Sequence, residues 1–445
     1  MTQSTPPTAN TLTASAAQAA MNAGDLSSRQ LVEACLARSD EREEDVGAWI
    51  YLNPDLALSQ ADACDQARAE GKALGALHGI PVGLKDIIDT ADMPTANGSE
   101  LFAGRRPVAD SAIARQLRSA GAIIMGKTVT TEFALTAAGK TRNPHNPEHT
   151  PGGSSSGSAA AVADFQVPLA VGTQTGGSMI RPASFCGVHG FKPTFGSISR
   201  AGMFPLARPL DHPGIYARSI EDIAMAGDVL MVKDPADLDM RGHLKPELLD
   251  ALSKPAGAAP RIAFVKGPMW EFAEPYMDAL FDGVVKKLGS HAQHVELAGV
   301  FDGALDCQAT VMVANIAANI GDYCRNHPDK VRPETIRRAK QGYDVLAEDY
   351  VKAIEFRDTL RAAVDKIFDH YDVLITAAAP GEAPKDLNNT GNAVFQKIWT
   401  LTGVPTLTLP KLQGPTGLPV GLQVIGRFAH DGDLLRHAAW IEGAV

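Results

Sequence analysis

The stretch that decides the fold is Gly152-Gly153-Ser154-Ser155-Ser156-Gly157-Ser158, followed by an apolar run and then by Gly172-Thr173-Gln174-Thr175-Gly176-Gly177-Ser178. Glycine is needed where the backbone takes φ > 0 or must approach another group closely. Successive amides in such a loop can converge on one point and hold an oxyanion. A flexible linker would stay polar. Here Ala159-Ala160-Ala161-Val162-Ala163 reads as a helix and Val167-Pro168-Leu169-Ala170-Val171 as a buried strand. Two glycine-serine loops joined through a helix and a strand read as a catalytic centre.

Outward from this stretch, Ile80-Pro81-Val82-Gly83-Leu84 is a short buried strand, and residues 120–126 form another, with a helix near 111–119 between them. Further strands are expected near 167–171, 261–265, 372–376, 406–409 and 420–425, and helices near 220–231, 274–288, 304–319, 343–367 and 433–442. From residue 11 to about 71 the pattern is helical, with Ser27 or Ser28 placed to cap a helix running to Arg38. Strands alternating with helices over the whole length predict an α/β fold, a central mixed, twisted sheet covered on both faces by helices. A single domain over 1–445 is expected, with a helical segment over 1–75 and a helical insertion or cap over about 237–370, because strand-like segments return after it.

With 445 residues, 45% hydrophobic and 21% charged, the chain is long enough for a large core. A formal net charge of −10 offers no basic surface for neutralising phosphates, so nucleic acid is not expected as a direct ligand. Cys35, Cys64, Cys186, Cys307 and Cys324 lack CxxC spacing, which argues against a disulfide framework or a zinc knuckle. The N-terminal stretch to Asn22 has no Lys or Arg, and no window approaches the ~18 apolar residues of a membrane span. A cytoplasmic location away from membranes is the expectation.

A serine hydroxyl attacks a carbonyl only when a base takes its proton. His145, His149, His189 and His212 lie near the serine loops in sequence and are candidate bases. The rival is Lys85, at the end of the apolar run 80–84, where desolvation would hold an amine neutral near the working pH. The spacing of His145 and His149 would suit two metal ligands on one helical turn, but Pro144 and Pro147 disfavour a helix there, and no metal is expected.

Taken together, Lys85, the 152–161 loop and the 172–183 segment resemble the amidase signature family of serine hydrolases, and the likeness runs on through Gly187-Val188-His189-Gly190-Phe191-Lys192-Pro193-Thr194, Asp211 to Asp222 and Gly417-Leu418-Pro419-Val420-Gly421-Leu422-Gln423. The resemblance implies Ser178 as nucleophile, Lys85 as general base and Ser154 as the relay between them, with a cis peptide from Gly153 to Ser154. It further implies the amides of Thr175, Gly176, Gly177 and Ser178 as oxyanion donors and no cofactor. Ser155 either helps by hydrogen-bonding Lys85 or caps the helix that follows. Arg181 either faces an acidic substrate or anchors its loop through a carboxylate. Two departures stand out: many members have aspartate at the place of Gln174, and many place the arginine where this chain has Ile180.

The segment Met203-Phe204-Pro205-Leu206-Ala207-Arg208 suits a mobile rim over a hydrophobic pocket, with Phe133 or Trp399 nearby. The implied activity is cleavage of a C–N bond in an amide, anilide or carbamate (urethane), on a small hydrophobic or aryl molecule. One alternative is the glutaminase-type amidase subunit of a tRNA-dependent amidotransferase; another is a catalytically silent binding protein on the same fold. Oligomeric state stays open, a homodimer being common among relatives.

Overall fold

The apolar segments meet in one eleven-stranded mixed sheet in the computed structural model, which describes residues 8–240, 246–254 and 258–445. In chain order the strands are β1 (Trp49–Leu52), β2 (Pro81–Lys85), β3 (Ile123–Thr128), β4 (Leu169–Gln174), β5 (His189–Lys192), β6 (His212–Ala217), β7 (Ile262–Lys266), β8 (Ala292–Glu296), β9 (Val373–Ala377), β10 (Thr406–Gln413) and β11 (Pro419–Ile425). Their order across the sheet is β1-β3-β2-β4-β6-β5-β10-β11-β9-β7-β8. β3, β2 and β4 are mutually parallel, as are β9, β7 and β8, and antiparallel pairs join these two groups. Helices flank the sheet, and every residue of β2, β3 and β4 is buried. Burial on both faces explains why these strands read as continuous apolar runs without alternation.

The stretch 1–75 holds helices Ala14–Ala23, Ser28–Val46 and Pro54–Ala69, and also β1, which pairs antiparallel with β3 at the sheet edge. Ser27 caps the second helix through a reciprocal box with Gln30, and that helix runs past Arg38 to Val46. Residues 237–370 contain the long helices Ala304–Asn326, Pro333–Tyr343 and Ala347–Ile367, yet β7 and β8 lie in the same stretch and extend the main sheet. Among the described residues no helix is long and apolar enough to cross a membrane.

One close approach fixes where the first serine loop sits. Helix Ser156–Ala163 begins with its backbone pressed on β3: the Gly157 amide donates to Val129 O at 3.0 Å. A Cβ on Gly157 would lie 2.2 Å from Ala48 O and 2.4 Å from Val129 N, both backbone atoms that cannot swing aside. Gly157→Ala should therefore lower stability by about 1–3 kcal/mol in urea unfolding, although alanine is the better helix former by about 1 kcal/mol. An unchanged or raised unfolding midpoint would contradict this packing.

Candidate active site

Because β2 and β4 are parallel, with Val82 beside Leu169 and Leu84 beside Val171, their C-terminal ends open at the same edge of the sheet. Lys85 ends β2 and Thr173-Gln174 ends β4. The Lys85 amine has no exposed surface and lies 2.6 Å from Ser154 Oγ and 2.7 Å from Thr173 Oγ1. Both partners are hydroxyls, so neither neutralises a charge. Burial holds Lys85 well below the ordinary lysine range, and the Asp211 carboxylate acts in the opposite direction. A neutral amine in this position has a lone pair for the Ser154 proton and an N–H for Thr173.

Ser154 follows a cis peptide from Gly153, and its carbonyl accepts from the Thr131 amide at 3.2 Å. The structure places Ser155 differently from both readings of the sequence. Its hydroxyl donates to Thr173 O at 3.0 Å and accepts from the Thr173 amide at 3.1 Å, so it neither bonds Lys85 nor caps helix Ser156–Ala163. The second partner of Lys85 is Thr173, which the Ser155 hydroxyl fixes in turn. Thr173 was missed because a threonine inside a glycine-rich motif reads as loop chemistry; the alternation of side chains along β4 was the available signal.

Arg181 is buried and anchors the loop through a carbonyl, not a carboxylate: Nη2 donates to Gly153 O at 2.5 Å and to Thr390 Oγ1 at 3.4 Å. Burial lowers it to about 10. The 175–178 turn is held from several sides. Tyr216 Oη lies 3.0 Å from the carbonyls of both Ser178 and Met179, and Thr175 Oγ1 donates to Asp211 Oδ1 at 2.6 Å. Ser178 is 8% exposed, against 0% for Ser154 and Ser155 and 3% for Thr173, so it is the most accessible hydroxyl of the group.

Asp211 also ties the rim to the turn, since Oδ2 accepts from the amides of Leu206 and Ala207 at 3.0 Å each. Burial raises its pKa, and these three donors oppose the rise. The rim is thus bonded down. Met203 bridges Ile88, and the Phe204 amide donates to Ile87 O at 2.9 Å. Phe204 stacks on Phe133 at 5.5 Å, with Phe102 and Tyr323 completing an aromatic cluster, whereas Trp399 is wholly buried in helix Val394–Thr402. Arg208 is paired with Asp239 at 2.9 Å.

The four histidines considered as bases bond elsewhere. His145 meets Cys186 O, His149 meets Ala383 O, His189 meets Glu442 and His212 meets Leu210 O. His145 and His149 lie in a loop.

Residues 30–435 match the family model described as Amidase. The chain belongs to the amidase family. A glutamyl-tRNA(Gln) amidotransferase subunit from Chloroflexus aurantiacus is 34% identical over 468 aligned residues, covering 96% of this amidase and 95% of that relative. Among solved structures, a chain from work on a vestigial protein complex and the origins of an s-triazine catabolic enzyme superposes with a TM-score of 0.91 at 29% identity, covering 97% of this chain and 98% of that one. The peptide amidase of Stenotrophomonas maltophilia superposes with a TM-score of 0.84 at 30% identity, covering 97% and 96%.

Removing one of the two hydroxyls around the Lys85 amine tests this geometry. Thr173→Val should cost about 1–3 kcal/mol in urea unfolding, the penalty for an under-bonded buried polar group, and Thr173→Ser should recover most of it. Equal stability of the valine and serine variants would show that the amine does not depend on Thr173.

Proposed function

We propose that this amidase hydrolyses C–N bonds through an acyl-enzyme on Ser178, with Lys85 as base and Ser154 as relay. The observation that carries the reading is the dry Lys85 amine 2.6 Å from Ser154 Oγ. Neutral Lys85 accepts the Ser154 proton while Ser154 accepts the Ser178 proton, and Ser178 Oγ attacks the carbonyl carbon. The resulting oxyanion is stabilised by the amides of residues 175–178; one such donor is typically worth about 3 kcal/mol of barrier. The relay then runs backwards to protonate the nitrogen as the C–N bond breaks. Water, deprotonated along the same chain, attacks the acyl-enzyme and restores Ser178.

For the substrate, the reading is an uncharged amide, anilide or carbamate with an aryl or apolar group. It is supported by the aromatic cluster of Phe102, Phe133, Phe204 and Tyr323 beside the Ser154 loop, and by the occupation of nearby arginines: Arg181 on Gly153 O, Arg200 on Asp237 and Asp239. The urethane preference rests on this rim chemistry alone. A second reading, a glutaminase-type subunit that works with partner proteins, is favoured by the name of the 34%-identical Chloroflexus relative, and at the level of names it has the stronger support.

A fluorophosphonate probe with intact-mass readout should add one adduct to the wild type and none to Ser178→Ala; equal labelling would remove Ser178 as nucleophile. On a panel of acyl anilides, aryl carbamates, primary amides and L-glutamine, the isolated chain should turn over anilides fastest. Glutamine turnover that appears only with a co-expressed partner would replace the first substrate reading by the second.

A further inference from the structure

The 175–178 turn contains the peptide between Gly176 and Gly177, and a peptide flanked by two glycines is the easiest kind to rotate. Its carbonyl and N–H belong to one planar unit and point in opposite directions. Whatever grips Gly176 O therefore aims Gly177 N–H. The grip comes from a helix far away in sequence. Thr400, fully buried on helix Val394–Thr402, has its Oγ1 2.8 Å from Gly176 O.

That hydroxyl has a second possible acceptor, the carbonyl of Gln396 one turn back at 2.9 Å, which is where a helical threonine ordinarily donates. Gln174 bears on the same oxygen. Its Nε2 donates to Thr400 Oγ1 at 2.9 Å, occupying an acceptor lobe, while its Oε1 accepts from the amides of Met179 at 2.8 Å and Ile180 at 3.1 Å. One carboxamide thus joins the two ends of the turn and is linked to its middle through Thr400. The helix also presses directly on the turn: a Cβ on Gly177 would lie 2.3 Å from Gln396 Oε1 and 2.9 Å from Ala393 Cβ.

We propose that Thr400, held by Gln174, is a positioning residue that fixes the Gly176–Gly177 peptide so that Gly177 N–H is presented to the oxyanion. The inference rests on the Ser178 acyl-enzyme reading above. It also assigns a role to the amide of Gln174. A carboxylate there would still accept from Met179 and Ile180, but it has no proton to donate. It would instead take the Thr400 proton away from Gly176 O. Glutamine at 174 and threonine at 400 act as a neutral pair, and changing either one disconnects the grip.

The test uses the full chain with 4-nitrophenyl butyrate as substrate and phenylboronic acid as a tetrahedral analogue. Thr400→Val should lower kcat about 10- to 100-fold, within the range for losing or misaligning an oxyanion donor, with KM within about threefold. Phenylboronate affinity should weaken by a similar factor while Tm stays close to wild type. Thr400→Ser should restore both quantities, and Gln174→Glu should reproduce the loss. Combined with Thr400→Val, Gln174→Glu should add little, as expected for two members of one network. Should Thr400→Val fail to fold, Gln174→Glu with an unchanged Tm carries the same measurement. Retained kcat and boronate affinity in either folded variant, alongside normal Ser178 labelling of the wild type, would overturn the positioning role alone. Labelling that persists in Ser178→Ala would overturn the acyl-enzyme reading and this inference with it.

Discussion

Everything at the candidate site depends on keeping one amine dry. Placing a charged ammonium in a protein interior costs several kcal/mol even after relaxation, so a lysine with no exposed surface and only hydroxyl partners is driven toward its neutral form. The sheet creates this condition. Lys85 is the last residue of a strand flanked on both sides by parallel neighbours, and the helix that follows Ser154 closes over it through contacts only glycine permits at 157. The other groups are arranged around that amine: Ser154 and Thr173 within hydrogen-bond distance, Ser155 fixing Thr173, and Arg181 fixing the carbonyl just before Ser154.

Charge is managed by distance. Asp211 is the carboxylate with the largest effect on Lys85, and its bonds go to Thr175 and to the rim amides. It can therefore hold the turn and the rim together while its charge only partly offsets the effect of burial on the lysine. The use of a neutral glutamine at 174 follows the same logic, since it bridges the turn without adding a second buried carboxylate.

The sequence made the glycine-serine loops, Lys85 and the central strands legible because each is written in local chemistry: glycines at close approaches, serines beside them, and an apolar run ending in an amine. The strands that went unread lack that signal. β5 and β6 are fully buried but carry His189, Lys192, His212 and Pro213, so their composition looks like loop. β1 is four residues long, and β8 is mostly exposed at the edge of the sheet. A single helix over 343–367 proved to be Ala347–Ile367 preceded by the separate helix Pro333–Tyr343. The roles of Thr173, Tyr216 and Thr400 depend on partners up to 226 residues away, which no local pattern encodes. Arg181 and Ser155 were recognised as important, yet their partners turned out to be backbone atoms, because buried loops must satisfy their own carbonyls and amides first.

The central claim is that Lys85 works as a neutral base, and the pH dependence of Ser178 phosphonylation tests it most directly. With wild type and Lys85→Met compared, the account predicts a wild-type rate that rises through one ionisation well below the ordinary lysine value of about 10.4, reaches a plateau, and loses both its magnitude and its pH dependence in the variant. A rate that keeps rising into the ordinary lysine range, or a variant that keeps the wild-type profile, would contradict it.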